Sequence, residues 1–265
     1  FMETVVSLED CPLFNAGRGA VFTASGTIEL DASIMCGKTE ESGAVAGITT
    51  LRNPIRGAHA VLEHSPHVFL VGTGADRFGA ENGLLTVDPT YFETDKRREQ
   101  LKRFKAEKRI DLDHNDDAPH QKHRPVNLGT VGAVALDQFG NLASATSTGG
   151  MTNKEYGRVG DSPVIGAGTW ASNKTCAISC TGQGEYFLRS ALARDVDCRI
   201  RYGNVPFEQA CIDGLTEYVS DKGGQGGLIA ISRSGEIIMP FNSLGMYRAS
   251  WSGLDNTVRV AIWPQ

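Results

Sequence analysis

The sequence predicts an α+β fold in which helices cover antiparallel sheets. Three observations carry that expectation. Strand-like runs fill much of the first half and open the second, two helical stretches follow, and strands close the chain. Apolar residues make up 40% of the 265 and charged residues 22%, which suits a packed core and not a disordered chain. The 31 glycines follow no Gly-X-Y period, so they point to tight turns and close backbone approaches, not to collagen.

The elements follow in order. Residues 1–8 (FMETVVSL) read as the last turns of a helix and 8–19 (LEDCPLFNAGRG) as a loop. Residues 20–35 read as two strands about a turn at Ser25-Gly26, and 42–50 as another strand. Pro54 opens a helix to about His64, because proline suits a first helical turn. HVFLVG (67–72) is a short strand before a helix near 75–83. Residues 93–127 are dense in charge. Their first part can form a helix, and DLDHNDDAPHQKHRP is expected to be disordered. Residues 130–148 read as two strands about a turn at Asp137–Asn141, and 175–180 as a strand. Helices are expected at 184–200 and 206–221. A hairpin at 227–241 and a strand at 256–263 finish the chain. No repeat of 20–50 residues is visible.

Composition excludes several function classes. A net charge of −5 argues against a nucleic-acid partner. No apolar run approaches the ~20 residues of a membrane helix. The cysteines at 11, 36, 176, 180, 198 and 211 mostly sit in apolar runs, which points to free thiols in a reducing cytoplasm. HVFLVGTGADRFGAENG imitates a dinucleotide fingerprint, but its glycine spacing is wrong and no βαβ unit follows, so it reads as a strand-to-helix turn.

All six histidines precede residue 124, so the second half cannot supply its own Ser–His or Cys–His pair. That half instead holds a glycine-dense cluster with Thr148, Arg158, Asp161, Thr181 and Gly182. Arg158 and Asp161 in GRVGDSP could grip a zwitterion, the arginine on a carboxylate and the aspartate on an ammonium. The plain alternative is a local salt bridge between those two residues. TGQGE offers a hydroxyl and backbone N–H groups at a helix start, suited to an oxyanion or simply to a cap. A nucleophile without histidine needs another base, and a threonine can use its own freed α-amine, whose pKa is near 8. Gly129-Thr130 follows the charged stretch and opens a strand, the position such a cleavage demands.

GTVGAVALDQFGNLASATSTGGMTNKEYGRVGDSP (129–163) strongly resembles the plant-type L-asparaginases, or isoaspartyl peptidases, which are N-terminal-nucleophile hydrolases. The resemblance continues through PVIGAGTWA, SCTGQGE, GGQGGLIAI and PFNSLGMYRA. In the first half it covers LFNAGRGAVFT, LDASIM, GAVAGI and LRNPI.

The resemblance implies a four-layer αββα sandwich of two central sheets flanked by helices. It implies one structural domain, cut between Gly129 and Thr130 into an α part (1–129, with 93–129 a flexible linker) and a β part (130–265). Thr130 would be nucleophile and base, with Thr148 tuning it. Thr181 and Gly182 would form the oxyanion hole. Arg158 would take the substrate carboxylate, and Asp161 with the Gly184 carbonyl its ammonium. Asn15 would approach the nucleophile.

The implied substrates are L-asparagine and β-aspartyl dipeptides, and the implied assembly is an (αβ)2 dimer of self-associating fragments. A structural sodium ion would be held by carbonyls of Leu8, Glu9, Cys11, Phe14, Ala16 and Arg18, since such ligands suit a hard cation. Against the family pattern the chain starts at the end of the first helix. The family's first strand is therefore expected to be missing, leaving a sheet edge open. Two alternatives stand beside the main reading: a glycosylasparaginase-like amidase, and an inactive or uncleaved homologue.

Overall fold

The computed structural model describes residues 1–107, 129–254 and 256–264. Two sheets pack face to face. The first has the strands β1 (Leu30–Cys36), β2 (Ser42–Ile48), β3 (Phe69–Val71), β4 (Val131–Leu136) and β5 (Leu142–Thr148), in the order β3-β2-β1-β5-β4. All its pairings are antiparallel except β2 with β3. The second sheet has β6 (Thr169–Ala171), β7 (Cys176–Gly182), β8 (Gly226–Ser232) and β9 (Ile237–Ile238), in that order and antiparallel throughout. A separate hairpin pairs β10 (Arg248–Ser252) with β11 (Thr257–Ala261).

Helices form the outer layers. α1 (Met2–Glu9), α2 (Pro54–His64) and α3 (Gly72–Glu81) pack on the first sheet. α5 (Gly184–Ser190), α6 (Leu192–Arg201) and α7 (Phe207–Tyr218) cover the second. The expected αββα layering is therefore present. α2 lies so close to its sheet that a Cβ at Gly43 would stand 2.1 Å from the Ala58 carbonyl oxygen, so only glycine permits the contact. The core between helices and first sheet is built from Leu30, Val45, Ile48, Ile55 and Val61. The seam between the sheets mixes Met35, Leu142 and Ala177 with a chain of hydroxyls. There Ser33 donates to Thr169 Oγ1 (2.7 Å), Thr169 to Thr146 Oγ1 (2.6 Å), and Thr146 shares a bond with Ser179 (2.7 Å).

Several expectations shift. Residues 20–35 do not form a hairpin, because residues 22–24 dock on 153–154 instead: Asn153 N–H donates to Phe22 O (2.9 Å) and Ala24 N–H to Lys154 O (2.8 Å). The helix expected at 184–200 is broken at Ala191, whose φ of 48° is left-handed. The break lets Ala193 and Arg194 N–H groups donate to the Ala167 and Gly166 carbonyls. The strands β6 and β10 lie outside the segments whose sequence pattern marks a strand. The charged helix is α4 (Asp95–Glu107), anchored by buried Leu101 and Phe104. The stretch expected to be disordered lies outside the described residues. All six cysteines are free thiols. Among the described residues no helix is long and apolar enough to cross a membrane.

Candidate active site

Thr130 precedes the first residue of β4, and Thr148 ends the neighbouring β5. The antiparallel register brings the start of one strand beside the end of the other, with Val131 opposite Ser147. The two threonine hydroxyl oxygens are 2.9 Å apart. Thr148 Oγ1 also accepts from the Gly150 N–H at 3.0 Å.

The cleft over this pair is lined by Asn15, Gly129, Thr148, Arg158, Asp161 and Thr181, with Gly182 beside them. No histidine is among its lining residues. With Gly129 still joined to Thr130 the cleft has about 10 Å³ of room, enough for one water.

Asn15 reaches the site from the loop after α1. Its backbone N–H donates to the Gly129 carbonyl at 3.2 Å. Its side chain donates to Gly150 O (2.7 Å) and accepts from Val21 N–H (3.0 Å), tying that loop to the turn after β5. The predicted oxyanion donors, Thr181 and Gly182, end β7, and Gly182 has a φ of 144°.

Arg158 and Asp161 both line the cleft but do not pair with each other as the plain sequence alternative required. Arg158 forks onto Glu185 instead, Nε to Oε1 and Nη2 to Oε2, both at 2.9 Å. Asp161 is buried, and its Oδ2 has no hydrogen-bond partner among the described residues. Burial raises its pKa to about 7, opposed in part by its own backbone N–H and by the Arg158 charge. Gly184 sits between the two groups: a Cβ there would stand 2.8 Å from Asp161 Oδ1 and 3.0 Å from Arg158 Nη2. A carboxylate with one unpartnered oxygen beside a guanidinium is a complement to an α-amino-acid head group.

The predicted sodium loop is a coil of turns in which Gly17 and Gly19 pack closely against backbone carbonyls. A Cβ at Gly17 (φ 51°) would lie 2.5 Å from the Glu9 carbonyl oxygen. One at Gly19 (φ 100°) would lie 2.5 Å from the Pro12 oxygen and 2.9 Å from the Phe14 oxygen. The Leu8, Glu9 and Cys11 carbonyls also accept from Cys11, Arg18 and Phe14 N–H groups. Among the described residues no group of three His, Cys, Asp or Glu side chains is placed to hold a metal.

The sequence model of the asparaginase family matches residues 1–260. The chain belongs to this family. It is similar to an isoaspartyl peptidase of Salmonella typhimurium, 49% identical over 98% of this chain and 82% of the relative. It also resembles a probable isoaspartyl peptidase/L-asparaginase of Arabidopsis thaliana, 43% identical over 97% of this chain and 82% of that protein. A human isoaspartyl peptidase/L-asparaginase is 43% identical over 91% of this chain and 75% of its own. Within this asparaginase framework, the residue that sequence reasoning missed is Glu185. The available signal was an acidic side chain in the first turn after TGQG.

Proposed function

We propose that the chain is a threonine amidohydrolase that cleaves L-asparagine and β-aspartyl (isoaspartyl) peptides to L-aspartate, after cutting itself between Gly129 and Thr130. The observation that carries this reading is the 2.9 Å pairing of the Thr130 and Thr148 hydroxyls in a cleft that also holds Arg158 and Asp161. The names of the relatives point to the same substrates.

In maturation the Thr130 hydroxyl attacks the Gly129 carbonyl, and the Asn15 N–H that already meets that oxygen supports the developing negative charge. Collapse breaks the Gly129–Thr130 C–N bond, which frees the α-amine with the hydroxyl proton and leaves Gly129 as an ester on Thr130 Oγ1. Water then hydrolyses that ester, releasing the Gly129 carboxylate and restoring the Thr130 hydroxyl. In turnover that amine takes the Thr130 hydroxyl proton, and the oxygen attacks the substrate side-chain carbonyl. The Thr181 hydroxyl and the Gly182 N–H stabilise the oxyanion, an effect of roughly 3–4 kcal/mol per donor in comparable sites. Ammonia or an amino acid leaves with the proton, and water releases aspartate from the acyl-threonine. Arg158 holds the substrate α-carboxylate, while Asp161 and the Gly184 carbonyl hold its ammonium.

A sodium ion in the loop over Leu8, Glu9, Cys11, Phe14, Ala16 and Arg18 would brace Asn15 from behind. The α and β parts would remain associated through the shared first sheet and pair as an (αβ)2 dimer. Free thiols fit a cytoplasmic setting.

Mass spectrometry of the purified chain tests the reading. A fragment beginning Thr-Val-Gly is expected, with hydrolysis of L-asparagine and a β-aspartyl dipeptide. Hydrolysis that survives Thr130→Ala would remove Thr130 as nucleophile.

A further inference from the structure

Arg158 has five N–H donors, and Glu185 engages one edge of its fork through Nε and Nη2. The other end of the guanidinium points elsewhere. Nη1 would lie 3.5 Å from a Cβ at Gly150 and 3.0 Å from one at Gly160, and both glycines line the cleft. Glu185 itself does not line the cleft. Its side chain is 42% exposed, against 18% for Arg158. The carboxylate therefore holds the guanidinium from the solvent side and turns its remaining donors inward. Partial burial raises the Glu185 carboxyl, but the Arg158 hydrogen bonds and charge outweigh it and hold the carboxyl below its ordinary value, so it stays ionised at neutral pH.

We infer that Glu185 is a specificity-determining positioning residue, which fixes Arg158 so that its Nη1 end reads the α-carboxylate of the substrate. The inference rests on the proposed amidohydrolase reading and deepens it. Without Glu185 the guanidinium can swing on its flexible stem or turn toward Asp161. A bidentate clamp thereby becomes a wandering charge. The loss falls only on ligands that carry an α-carboxylate. A purely structural role for Glu185 would weaken all ligands alike.

The test compares L-aspartate with β-alanine, which is aspartate without its α-carboxylate, by calorimetry on the mature protein and its Glu185→Gln variant. The expected result is about a tenfold loss of affinity for L-aspartate, with β-alanine binding unchanged within about twofold. The preference for L-asparagine over β-alaninamide in kcat/KM should fall by a similar factor, mostly through KM. Equal losses for both ligands, or no loss, would overturn the inference. Failure of the amidohydrolase reading would look different, because the wild-type chain itself would then hydrolyse neither amide. Thermal melting of Glu185→Gln within a few degrees of wild type is expected for so exposed a side chain. A collapse in Tm with parallel losses for both ligands would assign Glu185 to stability alone.

Discussion

Thr148 stands directly beside Thr130, with 2.9 Å between their hydroxyl oxygens, and its own oxygen is held by the Gly150 N–H. Because that N–H occupies a Thr148 lone pair, the Thr148 proton is free to point at Thr130, where it would stabilise a developing alkoxide. Thr148→Val keeps the shape and removes the hydroxyl. The expected outcome is a fall in kcat of roughly 100–1000-fold, the usual effect of losing one oriented donor. KM should stay within about twofold, and the Gly129–Thr130 cut should slow. Thr148→Ser should retain most activity. Steady-state kinetics and a time course of fragment formation check this, and an active Thr148→Val would remove the role.

Much of this pair was legible in the sequence. The strand–turn–strand pattern at 130–148 fixes the register, and Asp137 closes the turn by accepting from Phe139 and Asn141 N–H groups at 2.8 Å. That geometry alone sets Thr130 near Thr148. The partner of Arg158 was not legible, because Glu185 lies 27 residues away and meets it only after β7 and α5 have packed. The left-handed Ala191 was hidden for another reason. Phe187, Leu188 and Leu192 keep an apolar helical face through the break, so periodicity cannot report a single residue that turns to feed backbone donors to Gly166 and Ala167.

Asp161 has a pKa raised to about 7 by burial. A cationic ammonium needs the ionised form, so affinity for L-aspartate should fall as pH drops through about 7, approaching tenfold per pH unit below it. In Asp161→Asn the affinity should be low throughout and nearly flat between about pH 5.5 and 7. Calorimetric titration across that range decides the matter. A slope that persists in the variant would place the titrating group elsewhere.

Glu9 gives a separate pH effect, on stability. It is fully buried; its Oε1 accepts from Ile55 N–H (2.9 Å) and from the Ser147 hydroxyl (2.6 Å), while Oε2 has no partner among the described residues. Burial raises its pKa to about 7. A carboxyl whose folded pKa lies above its unfolded value binds a proton in the folded state that the unfolded chain has released. Its contribution is present below the ordinary carboxylate range and is lost as pH rises through about 7. Asp161 and Asp31, both raised by burial, act with the same sign. The melting temperature should therefore decline from about pH 5 to about pH 8. Glu9→Gln should make that decline shallower. Identical slopes in scanning calorimetry would exclude Glu9 as a contributor.

Gly182 tests whether the proposed oxyanion donors depend on an exact backbone path. Its φ of 144° is open to glycine, and an added Cβ would stand 2.5 Å from the Gln225 carbonyl oxygen and 2.6 Å from Gly226 Cα. Both obstacles are backbone, so the end of β7 must move away from β8 and shift the Thr181-Gly182 peptide in the cleft that it lines with Thr130. Gly182→Ala should lower kcat by roughly 100-fold or more. Gly140 supplies the comparison. It also has a positive φ, 81°, but a Cβ there meets nothing within 4 Å, and it lies in the turn between β4 and β5 away from the cleft. Gly140→Ala should cost about 1 kcal/mol of stability through backbone strain alone and leave kcat unchanged. Kinetics and melting on the two variants separate a displaced donor from a weakened fold. Equal activity losses in both would mean that stability, not the position of Gly182, governs the rate.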